Sequence, residues 1–218
     1  ELNKKYCYDY PHPAVTTDIV IFTVKDGALQ TLLIQRGIEP FKNFWAIPGG
    51  FVQEDEDIDT CASRELIEET GAKAVKLRQF GAYGAFGRDP REHVITIAYI
   101  ALIKAEDINI QHGSDAKDAK WFKFQQLPEL AFDHGVILKD AHKELIQGIY
   151  DLGGLTVFNL LDDNFTMPQI QTYFEAILFE KLDRRNFSKQ IKDKFPIKDT
   201  GQVQRDGPHR PSKLYFLP

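Results

Sequence analysis

Between Gly50 and Ala72 lies a stretch of 23 residues that concentrates the chain's chemistry: Gly50, Glu56, Arg64, Glu65, Glu68 and Glu69 stand in it, with Gly71 at its end. The segment from about Asp57 to Thr70 has helical patterning, and Gly71 is a natural helix stop. On a helix, at about 100° per residue, Glu65, Glu68 and Glu69 share an arc of about 100°, with Leu66, Ile67 and Thr70 on the other side. Like charges on one face repel, by a few tenths of a kcal/mol for a pair at i,i+4 such as Glu65 and Glu69. A cation between them relieves that repulsion. Hard carboxylate oxygens suit Mg²⁺ or Mn²⁺, ions commonly shared between a few carboxylates and substrate phosphates. The bland reading, a solvated acidic face, competes with this one.

The spacing favours the first reading. Gly50, five residues, Glu56, seven residues, Arg64-Glu65-Leu66, one residue, Glu68-Glu69, one residue, then Gly71 and a small apolar residue resembles the Nudix box at every defining position. The Trp-x-x-Pro-Gly-Gly segment ending at Gly50 resembles the usual lead-in. The resemblance implies an α/β/α sandwich. It also implies that the Gly50 carbonyl, Glu65, Glu68 and Glu69 hold the metal, with Arg64 and Glu56 orienting the carboxylates. The implied chemistry is hydrolysis of a nucleoside diphosphate linked to another group. Metal would supply charge stabilisation and a more acidic water, with a glutamate of the box, or one outside it, as base.

The elements that must position these groups are legible around them. Val15 to Val24 is β-branched and apolar, Lys25-Asp26-Gly27 signals a turn, and Ala28 to Arg36 reads as the returning strand. Arg36 at its end is placed to reach a phosphate or to make a surface ion pair. Pro48 and the paired glycines after Phe41, Phe44 and Trp45 permit close approach of backbone to ligand. Those aromatics are candidates to stack on a base or to fill core. Val75 to Ala85, His93 to Ile103 and Asp118 to Phe124 read as strands, the second buried on both faces. Arg88 and Arg91, in the loop between the first two, suit a diphosphate or a plain hairpin loop. Asp133 is placed to cap a helix from His134 to about Tyr150, with Val136, Ile137, Ala141, Leu145 and Ile149 on its apolar stripe.

Composition is that of an ordinary globular chain: 218 residues, 43% hydrophobic, 27% charged, net charge −5. The two cysteines, Cys7 and Cys61, are too few for a disulfide scaffold and fit a reducing cytoplasm. The strongly apolar run Ile95–Ile103 is too short to span a bilayer as a helix, and no leader is visible, so no membrane partner is expected. The charge is uneven. From Lys181 to Pro218 there are ten basic and four acidic residues, while the preceding 180 carry a net −11. An acidic body with a basic end suggests two parts with different partners.

Asp151-Leu152-Gly153-Gly154 reads as the boundary, giving residues 1–152 and 153–218. Beyond it, Thr166 caps a helix whose stripe is Ile170, Tyr173, Phe174, Ile177 and Leu178. A second helix over about Arg185 to Lys194 turns Phe187 and Ile191 inward and presents Arg184, Arg185, Asn186, Lys189 and Lys192. Ile197 to Thr200 and Lys213 to Leu217 read as a hairpin carrying Arg205, Arg210 and Lys213. Two short helices and a basic hairpin look like a winged helix-turn-helix, its second helix suited to the major groove and its hairpin to phosphates or the minor groove. The bland reading is a helical extension used for dimer packing.

Segments 86–91, 130–134, 182–187 and 207–215 resemble the Nudix-related bacterial transcriptional regulators. The expected fold is therefore α/β (α+β), a Nudix α/β/α sandwich followed by a small winged helix-turn-helix domain. The resemblance implies a homodimer on a double-stranded DNA operator, responding to ADP-ribose or a related NAD metabolite. Many such regulators have an eroded box. This one is complete, which keeps ADP-ribose hydrolysis open. Pro90 only approximates the proline that follows the box in ADP-ribose hydrolases. Two further readings stand beside it: a Nudix pyrophosphohydrolase whose C-terminal unit dimerises, and a regulator responsive to a sugar.

Overall fold

The computed structural model describes residues 9–72, 76–108, 116–151, 156–205 and 211–218. In chain order the elements are β1 (Ala14–Lys25), β2 (Ala28–Arg36), β3 (Trp45–Ala46), β4 (Gly49–Phe51), α1 (Ile58–Thr70), β5 (Arg78–Tyr83), β6 (Val94–Leu102), β7 (Ala116–Lys123), α2 (His134–Gly148), β8 (Phe165–Thr166), α3 (Met167–Leu178), α4 (Arg184–Lys194), β9 (Lys198–Gln204) and β10 (Ser212–Phe216).

The alternation of apolar residues in β1 decides the layering, because successive side chains of a strand point to opposite faces. Ile19 and Ile21 pack with Ala62 and Leu66 of α1. Val20 and Phe22 face the other way, into a core with Ile137, Leu138, Ala141 and Leu145 of α2. The sheet between the helices runs β3-β2-β1-β6-β5, with β4 added to β1 and β7 to β2. β1 and β6 are parallel over Ala14–Phe22 against Val94–Leu102. On its other edge β1 is shared. Phe22 to Lys25 pair with β2, and Thr16 to Asp18 pair with β4. The sheet therefore opens beside Asp18, and the turn leading to α1 enters there.

The C-terminal unit is a three-stranded sheet, β8-β10-β9, under α3 and α4. Thr166 and Gln169 form a reciprocal capping box at the start of α3, with Pro168 in its first turn. Asp183 caps α4. Ile170, Phe174, Ile177, Phe187 and Ile191 join the same core as α2 and β1. The two units are thus packed as one body on that side of the sheet.

Several expectations need correction. Val136 is 55% exposed rather than part of the α2 stripe. Ile67 is exposed while Glu69 is buried, so α1 turns part of its acidic face inward. Asp133 occupies the N-cap position of α2 without a side-chain capping bond; Arg88 takes its carboxylate instead. β9 runs on to Gln204, and two-residue β8 is too short to carry a strand signature in the sequence. Leu152, Gly153 and Gly154 of the expected boundary lie outside the described residues. Among the described residues no helix is long and apolar enough to cross a membrane.

Candidate functional site

A cleft of about 310 Å³ lies where β1 and β4 part, lined by Asp18, Arg36, Gly49, Gly50, Phe51, Glu65, Glu68, Glu69, Arg88, Asp89, Arg91, Phe132 and His134 among others. Its acidic wall is α1. The close approach of β4 to β1 requires glycine at 49, and a side chain at 50 would push the Glu65 carboxylate aside. A Cβ on Gly50 would sit 2.0 Å from Glu65 Oε1, and one on Gly49 would sit 2.0 Å from the Thr17 carbonyl oxygen.

Arg64 organises the wall. It donates to Glu56 from Nε at 2.9 Å and Nη2 at 2.6 Å, and from Nη1 to Glu65 at 2.7 Å and Glu68 at 3.3 Å. That grip lowers the Glu56 carboxyl to about 2. Glu65 moves the other way, raised by burial against the opposing pull of Arg64. Glu69 is raised well above the ordinary carboxylate value, by burial first and by the charges of Glu65 and Asp18 after it. Its Oε2 is buried with no hydrogen-bond partner, a costly state that a cation would relieve. Cys61, beneath this wall, is buried and its thiol is pushed up to about 11, so packing is its role.

The donor set is right for a hard divalent ion: carboxylate oxygens, the carbonyl of Gly50 beside Glu65, and one orphaned buried oxygen. Among the described residues, no three acidic, His or Cys side chains are gathered closely enough to hold an ion as they stand. The reason is visible in Arg64, whose guanidinium serves as the counter-ion of Glu65 and Glu68. An ion would compete with it for Glu65.

The opposite wall is basic and aromatic. Arg36 donates from Nε to the Pro40 carbonyl at 2.8 Å and lies 4.8 Å from the Phe132 ring. Arg91 is bonded to Asp89 by Nε at 3.0 Å and Nη2 at 2.7 Å, and faces Phe51 at 5.4 Å and Phe132 at 5.9 Å. Arg88 is almost wholly buried, and both its Nε and Nη2 are engaged by Asp133 at 2.9 and 2.7 Å. It is far more enclosed than Arg91, whose side chain is 38% exposed. Phe132 takes a left-handed backbone, φ 52°, a strained conformation for an aromatic residue that turns its ring toward the two outer arginines.

Of the residues expected to meet ligand, Arg36, Arg88 and Arg91 line the cleft, while Phe44 and Trp45 do not. Trp45 stacks edge-to-face on Phe122 at 4.6 Å and lies under Lys120; Phe44 packs on Phe41 at 5.8 Å. Trp45 is turned onto β7, and Phe44, which precedes β3, packs in the aromatic cluster of Phe41 outside the cleft. Phe51 and Phe132 supply the cleft's aromatic faces instead. Asp18 and His134 are cleft residues that the sequence does not single out. Asp18 sits in a run that reads as buried strand, and His134 in the segment 130–134 that signals only a family likeness.

The second surface is on α4. Arg184, Arg185, Asn186, Lys189 and Lys192 are all exposed, opposite buried Phe187 and Ile191. Arg205 is exposed at the end of β9. Lys192 leans over the Tyr215 ring at 5.1 Å, and Lys213 is held by Asp199 at 2.6 Å. Arg210 and His209 lie outside the described residues.

Both surfaces have counterparts among known proteins. Residues 12–141 match the family described as NUDIX domain, and residues 157–217 match the NrtR DNA-binding winged helix domain. The ADPR responsive transcriptional repressor NtrR of Acinetobacter baylyi is 37% identical over 95% of this chain and 83% of that protein. An ADP-ribose pyrophosphatase of Methanocaldococcus jannaschii is 43% identical over 63% of this chain and 77% of that protein. NrtR of Shewanella oneidensis, solved with a 27mer DNA, superposes with a TM-score of 0.77 at 31% identity, covering 94% of this chain and 93% of that one. Its NUDIX domain, solved with ADP ribose, gives a TM-score of 0.58 at 34% identity over 63% of this chain and 94% of that one.

Proposed function

Because the chain belongs to the NUDIX domain family and, within it, to the NrtR-type regulators with a C-terminal winged helix, we propose that it is a DNA-binding transcriptional repressor responsive to ADP-ribose. One observation carries the reading: an acidic, arginine-lined cleft and an exposed cationic helix stand in one chain, joined by α2, which begins at the cleft and shares a hydrophobic core with α3 and α4. The cleft suits a diphosphate, with Arg36 and Arg91 on one wall and α1 on the other. The cationic face of α4 suits a duplex, with phosphate contacts supplying affinity and base edges supplying specificity. Similarity to the A. baylyi repressor over nearly the whole chain supports the pairing of the two.

Mg²⁺ or Mn²⁺ is the ion this cleft would take, held by Glu65, Glu68, Glu69 and the Gly50 carbonyl, where it would neutralise a bound diphosphate and acidify a water. Arg64 and Glu56 keep those carboxylates in place. Arg36 and Arg91 hold the ligand's phosphates, and the rings of Phe51 and Phe132 receive its base.

ADP-ribose changes DNA affinity only insofar as it binds the DNA-competent and DNA-free arrangements unequally. A homodimer reading two half-sites fits the winged-helix mode, and a role on DNA fits the cytoplasm. A gel shift with the chain's own upstream DNA, with and without ADP-ribose, tests the reading. Retardation that ADP-ribose alters is the expected result. Absence of a shift at low salt, with no effect of Arg184→Ala/Lys189→Ala, would remove it.

A second reading has its own observation. All the box carboxylates are present, and the M. jannaschii pyrophosphatase is 43% identical over this region. Slow hydrolysis of the bound ligand therefore accompanies sensing. Equal phosphorus-product release by the protein and its Glu69→Gln variant would exclude it.

A further inference from the structure

Asp18 and His134 face each other across the floor of the cleft without satisfying each other. Asp18 comes from β1, outside the acidic helix, and is 7% exposed. The charged nitrogen nearest it is Arg88 Nη2 at 3.7 Å, and His134 Nε2 follows at 3.8 Å. Both distances are too long for a hydrogen bond. His134 is 4% exposed. Its Nδ1 accepts the backbone N–H of Ile47 at 2.8 Å, so Nδ1 carries no proton. Burial holds the ring neutral by lowering its pKa. The proton therefore sits on Nε2, and that nitrogen is a donor.

A donor and an acceptor 3.8 Å apart leave room for one oxygen at about 2.8 Å from each. The group that fills it must accept from His134 and donate to Asp18. A phosphate oxygen cannot donate and is repelled by the carboxylate. An ammonium cannot accept. A ring carbonyl of a base accepts only. A hydroxyl does both, and so reproduces the hydrogen bonds of the water that otherwise stands there. The partly exposed rings of Phe51 and Phe132 with Arg36 and Arg91 take the base and phosphates toward the rim, which leaves the floor to the far end of the ligand.

We propose that Asp18 and His134 form a hydroxyl-reading subsite that takes a hydroxyl of the sugar distal to the base, and so make the cleft selective for a nucleoside diphosphate that bears a terminal sugar. The inference rests on the reading of the cleft as an ADP-ribose site. It gives a physical reason for that ligand to be preferred over ADP, which shares the base, the first ribose and the diphosphate but lacks the second sugar. ADP leaves the two groups to water, whereas a sugar hydroxyl seated between the fixed donor and the fixed acceptor takes over that water's hydrogen bonds and adds the contacts of the sugar.

The test is calorimetric titration of the full chain with ADP-ribose and with ADP, with Ca²⁺ in place of Mg²⁺ so that the diphosphate stays neutralised while turnover is suppressed. The wild type is expected to bind ADP-ribose at least tenfold more tightly than ADP. His134→Phe, which keeps an aromatic ring but neither nitrogen, and Asp18→Asn, which keeps the volume, should each weaken ADP-ribose about tenfold and change ADP less than twofold. His134→Gln, able to accept from Ile47 and donate into the cleft, should recover most of the preference. Melting curves identify any variant that fails to fold, and the two positions give independent routes to the same answer. Equal losses for both ligands, or none, overturn the subsite. A wild type that binds neither ligand overturns the reading of the cleft itself.

Discussion

Arg64 and Glu56 form a two-pronged ion pair, Nε to Oε2 at 2.9 Å and Nη2 to Oε1 at 2.6 Å, which fixes the guanidinium that in turn restrains Glu65. Removing Glu56 frees that guanidinium and disorders the wall. Glu56→Gln should weaken Mn²⁺ binding by about 10- to 100-fold, the usual range for a residue that supports a metal ligand. The pair also has a pH signature. Glu56 titrates near 2 in the fold and has a reference value of 4.5. Its contribution to stability is complete above 4.5 and is lost as pH falls toward 2. The gap in melting temperature between the protein and Glu56→Gln should therefore narrow steadily between those values. A gap independent of pH would show that the pair carries no stabilising charge.

Glu69 works in the opposite sense. Its carboxyl is raised by burial and by Glu65 and Asp18, and one of its oxygens has no partner. The folded state therefore holds its proton more tightly than the unfolded chain does. Stability drains away as pH rises from the reference 4.5 through the folded value. Glu69→Gln removes that drain. In EDTA at about pH 8 the variant should melt above the wild type, and millimolar Mn²⁺ should reverse the order by stabilising only the wild type. A wild type that melts higher in EDTA would show that Glu69 is satisfied without an ion.

How far the sequence reaches depends on where each signal is encoded. α1 is legible to within a residue, because its cap, stop and carboxylates are all local. The strands carrying the hydrophobic alternation are legible for the same reason, and so is α4 with its cationic face. The basic wall is half legible. Arg36, Arg88 and Arg91 stand out as charges near a turn, but their partners do not. That Arg88 is spent on Asp133 depends on residues 45 apart. Trp45 and Phe44 look like stacking residues because of their place before the glycine turn; where they go is decided by pairing of Trp45 with β2 and its packing on β7, and by the contact of Phe44 with Phe41. Asp18, in an apolar strand, has no local mark at all. It becomes conspicuous only once the sheet opens beside it.

The surface proposed to meet DNA divides into exposed cations on α4 and cations already engaged. Lys213 is bonded to Asp199, and Lys192 leans on Tyr215. Arg184, Arg185 and Lys189 are exposed along the first turns of α4. Replacing these three with alanine should lower the slope of log affinity against log salt by about 0.9 for each phosphate that is no longer neutralised. Lys213→Ala should change affinity far less. Fluorescence anisotropy with a labelled duplex over a salt series measures both. An equal effect of Lys213→Ala would assign the hairpin, rather than α4, the larger share.

α2 joins the cleft to the DNA-binding unit. Its first residue, His134, lines the cleft. Eight residues on, about 12 Å along the helix, His142 donates from Nε2 to the Ile177 carbonyl of α3 at 2.8 Å. The His142 ring lies 4.8 Å from both Phe124 and Phe179. Phe179 caps α3 in a left-handed conformation, φ 57°, so this end of α3 is held in a geometry that its own sequence does not favour. Any shift of α2 on ligand binding must pass through that junction or break it. His142→Ala removes a bond worth about 1 kcal/mol, too little to unfold the chain. Its expected effect is on coupling: ADP-ribose should bind as before, while the ratio of DNA affinities with and without ADP-ribose falls toward one. An unaltered ratio would mean that the cleft communicates with α4 by a route other than the His142 junction.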